Sequence, residues 1–575
     1  RCVVETAIGV FFQCTHGKAR FRELLLRTIL TNGCERKKFE RLWLQGLQGF
    51  DPSQHEWIQA WLSRLNAESQ LLNFFEPSGV NEFGRLLTSL SVEDPERFRE
   101  FSSELLPKIL RALLDTDTDD SSWARLFDEV TSSFPEVDGF DRSQILWLIR
   151  QVQATDDLIA KLRTTIESGE INVEQGLENW RQDILAGAML PDTIRPDTFS
   201  LGKNLASTPG DVVFENQLFQ LIQYRPNTAT VHENPVLLIP AFVNRFYILD
   251  LSGEYSMVRW LVDQGHTVFL ISWVNPTEML APYEMTHYVL DGALAALDQI
   301  ERMLPRVKTQ VMGYCAGGVI ATILAAWLSA RGEDRIASLS LLTTLLDYRD
   351  PGPLGHFVSE DSIEAIRKPL TDMGYLPAEL MLRTFASLRP HDLLFGRVLN
   401  SYVLGQRGKP FPLLHWLGDG TRTPASLVLW ILEELYLNNT LVSETPMELA
   451  GQPIDIASIT CPVFLFGAES DDISPWQSVM MAAKYFAKTP TCVLGEGGHN
   501  AGVITPPARN RHHHYMLNSN DQLNKQSAER RDGSWWVSWN QFLLSCAGDE
   551  VNPPKPGGGL RPVIEDAPGR YVKQP

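Results

Sequence analysis

A short segment around Cys315 constrains this chain more than any other. Residues 309–312 have the composition of a buried strand, 313–317 read Gly-Tyr-Cys-Ala-Gly, and an apolar stretch of helical character covers 319–328. Strand, Gly-x-Cys-x-Gly turn and helix together form the nucleophile-elbow pattern, with cysteine where serine is usual. The glycines suit such a turn because it leaves no room for flanking side chains. The start of the helix can stabilise a thiolate and donate an N–H to an oxyanion.

The same segment has a plainer explanation. A cysteine between two glycines can be a small buried core residue with no chemistry. Features elsewhere in the chain must show whether Cys315 is a nucleophile or a core residue.

After Pro191 the chain alternates between short apolar runs and helical stretches. Buried strands are predicted at 236–240, 267–271, 309–312, 338–342, 462–466 and 491–494, and helices at 254–264 and 286–303. This alternation predicts a mostly parallel sheet covered on both faces. With the elbow, and with an acid and a histidine after later strands, it favours an α/β-hydrolase fold.

Residues at about 349–455 lack a clear core strand but hold apolar helical segments at 377–388, 390–402 and 425–441. We predict that they form a cap over the nucleophile, which would exclude water and shape the substrate channel.

The remaining parts of the chain have a different character. Residues 55–188 show three-and-four apolar spacing and almost no strand alternation, which predicts helices. We therefore divide the chain into an extension of uncertain role (1–45), a helical N-terminal domain (46–195) and the catalytic domain (196–575). Within the last, 534–544 reads as a final helix, and the Pro- and Gly-rich chain beyond Asn552 as extended and largely on the surface.

Cys315 needs a base, because a thiol near its free pKa is mostly protonated. His499 lies in a glycine-rich loop after the last predicted strand, and Asp471 and Asp472 follow the strand before it. The order nucleophile, acid, histidine is the one this fold uses. Either aspartate can serve His499 while the other caps a helix that starts near Pro475.

Other candidate groups follow from position. The backbone N–H of Ala316 and that of Phe242 or Val243, in the loop after 236–240, are the predicted oxyanion donors. His266 precedes a strand and is expected to be structural. The run His512–His514 is expected to be a solvated loop without metal, because adjacent residues on an extended chain do not converge.

Composition narrows the function classes. The formal net charge of −19 argues against a nucleic-acid binder. Seven cysteines without a Cys-x-x-Cys pair favour a reducing cytosol over a disulfide scaffold or a zinc site. The apolar runs are too short for a membrane span.

Beyond these features, ordered blocks from Phe199 to Val572 resemble the polyhydroxyalkanoate synthases. The blocks lie at 202–206, 213–216, 218–224, 246–251, 265–270, 272–276, 313–318, 342–347, 416–419, 498–503 and 567–572. Their number and order make a chance match implausible. The long single chain with an N-terminal helical region resembles the one-subunit class I enzymes.

The resemblance implies polymerisation of (R)-3-hydroxyacyl-CoA, with (R)-3-hydroxybutyryl-CoA as the expected monomer, into a storage polyester with release of CoA. It makes Cys315 the acyl acceptor and His499 the base. Asp471 becomes the acid, by its place before Ile473-Ser-Pro-Trp. No cofactor is implied, since the CoA thioester is the substrate. The implied partners are the growing polyester chain and the granule surface, for a cytoplasmic homodimer associated with granules.

Some positions depart from the family pattern or stay open. The family more often has Pro-Pro-Trp where this chain has Pro240-Ala241-Phe242, and an apolar residue is common where Asn500 follows His499. Arg389, in the cap, is a candidate for the phosphates of CoA, or else a surface or capping arginine. Two alternative functions remain: a thioesterase or polyester depolymerase on the same fold, and an inactive granule-associated binding protein.

Overall fold

The computed structural model describes residues 198–388, 397, 399–508, 512–518, 523–560 and 562–574, together with scattered residues between 175 and 194. One compact unit comprises Arg1–Ile194 and Arg383–Lys409, and the other Arg195–Leu382 and Pro410–Pro575. The predicted domain of residues 46–195 lies almost wholly outside the described residues.

An eleven-stranded sheet forms the centre of the second unit, in the order β15-β14-β13-β12-β7-β6-β4-β5-β2-β1-β17. Among the described residues, the strands are β1 (Gly210–Glu215), β2 (Phe219–Tyr224), β3 (Val231–His232), β4 (Val236–Ile239), β5 (Val268–Trp273), β6 (Thr309–Tyr314), β7 (Ile336–Leu342), β8 (Tyr375–Leu376), β9 (Thr423–Pro424), β10 (Met447–Leu449), β11 (Gln452–Ile454), β12 (Val463–Ala468), β13 (Thr491–Gly495), β14 (His513–Leu517), β15 (Glu529–Asp532), β16 (Glu550–Val551) and β17 (Glu565–Asp566). Strands β5, β4, β6, β7, β12 and β13 are parallel, and the outer pairs are antiparallel.

Helices cover both faces of this sheet, and further helices lie in the segment between β7 and β12, which also contains the short strands β8 to β11. The α-helices whose bounds the structure gives, all of them after Arg195, are α1 (Met257–Asp263), α2 (Met285–His287), α3 (Ala295–Met303), α4 (Ala316–Ala330), α5 (Glu360–Met373), α6 (Ala378–Leu388), α7 (Pro412–Gly418), α8 (Ala425–Trp430), α9 (Trp476–Met481) and α10 (Trp536–Leu544). π-Helical turns occupy Tyr288–Leu294, Leu399–Val403 and Ile431–Leu437. Among the described residues, no helix is long and apolar enough to cross a bilayer.

Alternation along the central strands places apolar side chains on both faces of the sheet. On β4, Leu237 and Ile239 join one buried cluster, whereas Val236 and Leu238 join the other. A strand buried on both faces has a continuous apolar sequence. The six central strands could therefore be predicted from the sequence. All six predicted strands are confirmed, as is the final helix, observed as α10.

The antiparallel outer strands were missed, because their residues do not form apolar runs. Strand β2 buries Gln220 and Gln223, and β15 and β17 are mostly charged. These strands are stabilised by ladder bonds and by polar side-chain contacts between residues far apart in the chain, which local composition does not reveal.

One expectation about the end of the chain is confirmed in part and another is wrong. The segment after Asn552 lies largely on the surface, as expected, but it is not simply extended: β17 pairs with β1, and Val572 is 2% exposed. His513 and His514 are strand residues of β14 rather than part of a solvated loop. The alternation of a strand buries His514, whose Nε2 lies 2.8 Å from Ser538 Oγ.

Within the first unit, Arg407 links the two stretches of chain that compose it. Its guanidinium lies 2.5 Å from the buried carboxylate of Asp183 and donates to the carbonyl of Asn179 at 2.7 Å. The Asn179 amide in turn donates to the Ser401 carbonyl at 2.9 Å. Residues 383–409, part of the predicted cap, therefore belong with this unit.

Candidate active site

Cys315 lies at the tight turn between β6 and α4. Its backbone has φ 53° and ψ −123°, a conformation that costs a non-glycine residue about 1–3 kcal/mol. The turn is held to the neighbouring strand β7, because the Cys315 N–H donates to the Leu342 carbonyl at 2.9 Å. This geometry raises the side chain above the ends of the parallel strands, as the elbow pattern predicts.

Glycines let α4 pack closely behind the nucleophile. A Cβ at Gly317 would lie 2.1 Å from the Ile239 carbonyl oxygen of β4, and one at Gly318 would lie 2.0 Å from the Thr344 hydroxyl. Real Cβ atoms do not come so near, so side chains at either position would push the helix away from the sheet. The close approach fixes where the N-terminus of α4 points.

His499 and Asp471 meet beside this turn. His499 follows β13 and Asp471 follows β12; His499 Nδ1 lies 2.8 Å from Asp471 Oδ2. The other carboxylate oxygen of Asp471 accepts from the N–H groups of Ile473 and Ser474 at 2.9 and 2.8 Å. The carboxylate is wholly buried and thereby fixed, which orients the imidazole and leaves Nε2 free to face Cys315.

The electrostatic setting of His499 favours its protonated form. Burial by itself lowers the pKa of His499, but the Asp471 carboxylate, the charge of the Cys315 thiolate and hydrogen bonds to both groups outweigh it, so the pKa lies well above the ordinary value. A proton that leaves Cys315 is therefore stabilised on the imidazole.

The structure separates the two candidate acids. The carboxylate that bonds to His499 is that of Asp471, whereas Asp472 is exposed on the same loop. The catalytic roles of Cys315, His499 and Asp471 stay predictions, now with a geometry that suits them.

The predicted oxyanion donors are backbone N–H groups at the start of α4 and in the loop after β4, and their role stays a prediction. Ala316 is the first residue of α4, where backbone N–H groups have no acceptor within the helix. Within the described chain, the N–H groups of Phe242 and Val243 also have no hydrogen-bond acceptor. The close contact of Gly317 with Ile239 brings the start of α4 next to the β4 loop that carries these two groups. Three donors are thus available on this side of Cys315.

Sequence reasoning missed two tyrosines that lie near the nucleophile. Tyr348 and Tyr436 pack edge to face with ring centroids 4.9 Å apart. Burial, then the charges of Tyr436 and Cys315, raises the pKa of Tyr348 well above its ordinary value; burial and then the charge of Cys315 raise that of Tyr436. Both phenols therefore stay protonated as possible donors. Tyr436 lies in the predicted cap, and no local signal distinguished it from a core residue.

A buried carboxylate anchors this tyrosine pair. Asp347 is fully buried and accepts hydrogen bonds from Arg349, from the Tyr485 hydroxyl at 2.7 Å and from the Asn439 amide at 3.1 Å. Asn439 Oδ1 also accepts from the backbone N–H of Tyr348 at 2.9 Å. Burial alone would raise the pKa of Asp347, but these bonds hold it well below the usual range. The carboxylate is therefore a structural anion.

The remaining candidates lie apart from the site or are not described. His266 is 1% exposed and its Nε2 lies 2.7 Å from Asn540 Oδ1 of α10, in line with the structural role expected for it. His513 faces Glu496, with Nδ1 2.6 Å from Oε1; across the part of the chain that the structure covers, no group of three side chains could hold a metal. Arg389 lies outside the described residues.

The order of the strands, the elbow at Cys315 and the buried Asp–His pair together define a protein of the α/β-hydrolase class. In agreement with this, the family model described as "alpha/beta hydrolase fold" matches residues 234–504. This confirms the predicted fold class. A second model, "Poly-beta-hydroxybutyrate polymerase (PhaC) N-terminus", matches residues 122–261. The chain belongs to the poly(3-hydroxyalkanoate) polymerase (PhaC) family, as the resemblance indicated.

Curated relatives support this membership over most of the chain. The poly(3-hydroxyalkanoate) polymerase subunit PhaC of Cupriavidus necator is 39% identical over 420 residues, 72% of this chain and 71% of its own. The poly(3-hydroxyalkanoate) polymerase of Methylorubrum extorquens is 36% identical, over 72% of this chain and 69% of its own. The PhaC subunit of Rhizobium meliloti is 32% identical, with coverage of 89% and 92%.

Proposed function

We propose that this protein is a polyester synthase that polymerises (R)-3-hydroxyacyl-CoA, with (R)-3-hydroxybutyryl-CoA as the expected monomer, through a thioester on Cys315. Family membership supports the polymerase activity. The observation that carries the mechanism is the buried Asp471–His499 pair beside a cysteine at a nucleophile elbow.

Acylation of Cys315 would open the cycle. The thiol proton moves to His499, the sulfur attacks the thioester carbonyl, and the carbon–sulfur bond to CoA breaks. His499 then returns the proton to the departing CoA sulfur, so free CoA leaves as a thiol. The raised pKa of His499 supports this step, because it lets the imidazole hold the proton between the two transfers.

The oxyanion formed during this attack needs donors that are already in place. The N–H groups of Ala316 and of Phe242 or Val243 are available for it. Removing one such donor from an enzyme typically costs about 10²–10³ in kcat.

Elongation would use the same base. His499 takes the proton of the 3-hydroxyl of an incoming monomer, whose oxygen attacks the Cys315 thioester. An ester forms, the carbon–sulfur bond to Cys315 breaks, and His499 returns the proton to the departing cysteine sulfur. The longer chain, now a CoA thioester, acylates Cys315 again. A thioester keeps the acyl group activated, so ester formation runs downhill, whereas hydrolysis would end the chain. Exclusion of water by the residues above Cys315 is therefore part of the proposal.

Product analysis tests this function. Purified protein given (R)-3-hydroxybutyryl-CoA should release CoA and form polymer detectable by mass. Cys315→Ala should abolish both, while Cys461→Ala, which removes a thiol far along the chain from the elbow, should retain them. Free hydroxy acid instead of polymer would indicate a thioesterase or depolymerase. Labelling of Cys315 without acyl transfer from short or longer acyl-CoAs would indicate an inactive granule-associated binder.

We also propose for this protein several properties that its resemblance to the family implies. We expect a cytoplasmic homodimer on polyester granules, with no cofactor and no metal in the cycle. Light scattering of the purified protein, fractionation of granule-containing cells, and activity after treatment with a chelator would test these points separately. Activity lost to the chelator and regained with a metal would overturn the metal-free cycle.

A further inference from the structure

A hydrogen bond joins the residue before the nucleophile to the residue after the histidine. The hydroxyl of Tyr314, the last residue of β6, donates to Asn500 Oδ1. The Tyr314 ring also packs against the His499 imidazole, with centroids 5.7 Å apart. One tyrosine therefore contacts both the imidazole of His499 and the residue that follows His499 in the chain.

Burial gives this bond energetic weight. Tyr314 is 2% exposed, and a buried hydroxyl without a partner costs about 1–3 kcal/mol. Burial, followed by the charges of Cys315 and Asp471, raises the pKa of Tyr314 well above its ordinary value, so the hydroxyl stays a donor. Loss of Asn500 would leave the buried Tyr314 hydroxyl unpaired beside His499, and loss of the hydroxyl would release the partly exposed Asn500 side chain from β6.

The rest of the His499 loop is held from the other side. The indole N–H groups of Trp535 and Trp536 donate to the carbonyls of Gly502 and Val503 at 2.9 and 2.8 Å. These bonds fix the end of the loop against α10. Asn500 instead attaches the part next to His499 to β6, the strand that presents Cys315.

We propose that the Tyr314–Asn500 pair is a positioning device that sets the imidazole of His499 relative to the sulfur of Cys315. Asn500 offers an amide oxygen to this buried hydroxyl, which an apolar side chain at the same position could not do. The proposal rests on the proposed function for its catalytic meaning, but its geometry can be tested without substrate.

Three variants separate positioning from folding: Tyr314→Phe, Asn500→Leu and the two combined. The first readout is the rate at which iodoacetamide alkylates Cys315 across pH, measured by mass spectrometry of its peptide. The second is kcat and KM for CoA release. Each single variant should displace the pH midpoint of alkylation and lower kcat roughly tenfold, with a smaller change in KM. The double variant should recover most of the wild-type alkylation midpoint and most of the wild-type kcat. In this variant two apolar side chains contact each other and neither polar partner is left without the other.

Tyr224→Phe is the matched control. Tyr224 is equally buried, and within the described chain its hydroxyl has no hydrogen-bond partner. This variant should leave the alkylation profile unchanged.

Identical profiles in all variants, or a double variant no better than the worse single one, would overturn the proposal. If one single variant cannot be purified, the other single variant is compared with the double variant: the midpoint of the single variant should be displaced, and that of the double variant should return toward the wild-type value. Displaced midpoints in a protein that releases no CoA would refute the polymerase function and still support the pair.

Discussion

At the scale of single residues, the two adjacent aspartates are chemically identical but differ in their surroundings. Asp471 is buried against His499 with both oxygens bonded, whereas Asp472 is exposed. The position in the loop, and not the residue type, decides which of the two carboxylates contacts His499. The family pattern before Ile473 indicated the same choice; without it the two aspartates were equivalent.

Asp471→Asn should lower the rate of polymer formation about 10²–10⁴-fold, because an amide disturbs the orientation of His499 and no longer stabilises its charged form. Asp472→Asn should change the rate less than about twofold, as expected for an exposed residue away from the reacting groups. CoA release with (R)-3-hydroxybutyryl-CoA measures both. A large loss with Asp472→Asn alone would reverse the assignment.

His266 gives a prediction about acid stability. Burial lowers its pKa to about 4, against the opposing hydrogen bond with Asn540. The unfolded histidine takes up a proton near pH 6.5, but the folded one does not until about pH 4. Its contribution to stability is therefore complete above pH 6.5 and is lost as the pH falls to about 4, a span worth roughly 3 kcal/mol.

His266→Gln should flatten the dependence of the unfolding free energy on pH between 4 and 6.5. Urea unfolding at several pH values measures this slope. His512→Gln, at a histidine whose side chain is 40% exposed, is the control for the loss of a histidine near the surface. Equal slopes in wild type and His266→Gln would show that His266 is protonated in the folded protein.

Among the elements, the central parallel strands could be predicted from sequence and the outer strands could not. A strand buried on both faces needs an apolar run, and this run is visible in the chain. The outer strands are specified by polar contacts such as that of Gln220 with Glu565, 345 residues away. Likewise, motif and strand order indicated Cys315, His499 and Asp471, but the Tyr314–Asn500 bond spans 186 residues and has no local signal.

The elbow as an element predicts intolerance at Gly317. A methyl group there would lie 2.1 Å from a backbone carbonyl of β4, so α4 must shift. We expect Gly317→Ala to destabilise the fold by about 1–3 kcal/mol or more and to reduce activity strongly, because the N–H of Ala316 moves with the helix.

Thermal unfolding and CoA release would measure the two effects of Gly317→Ala. Gly253→Ala is the control, since its Cβ would meet only the Arg259 guanidinium, at 3.5 Å. Full activity in Gly317→Ala would mean that α4 does not need this close packing.

At the scale of the whole second unit, one buried arginine joins three distant segments. Arg245, just after the predicted oxyanion loop, lies 2.6 Å from Asp419 at the end of α7. It also donates to the carbonyls of Val572 and Gln574 at 2.8 and 2.7 Å. The last described residues are thereby fastened next to the loop of Phe242 and Val243.

Arg245→Met should destabilise the protein by about 3–5 kcal/mol, because it leaves Asp419 and two carbonyls without their cation. Backbone amides of 571–574 should also exchange hydrogen faster. Arg570→Met removes an arginine half-exposed to solvent and paired with Glu215 and Glu565; its loss should cost at most about 1 kcal/mol. Equal effects of the two substitutions in urea unfolding would argue against a special role for Arg245.

The backbone of Cys315 has one more consequence. Since its conformation suits glycine better than cysteine, the residue proposed to carry the acyl group is also one that weakens the fold. A search for heat-resistant variants that selects only for folding should therefore favour Cys315→Gly and enrich inactive protein. Directed evolution of this enzyme should therefore select for polymer formation and heat resistance together, because selection for heat resistance alone would favour the loss of Cys315.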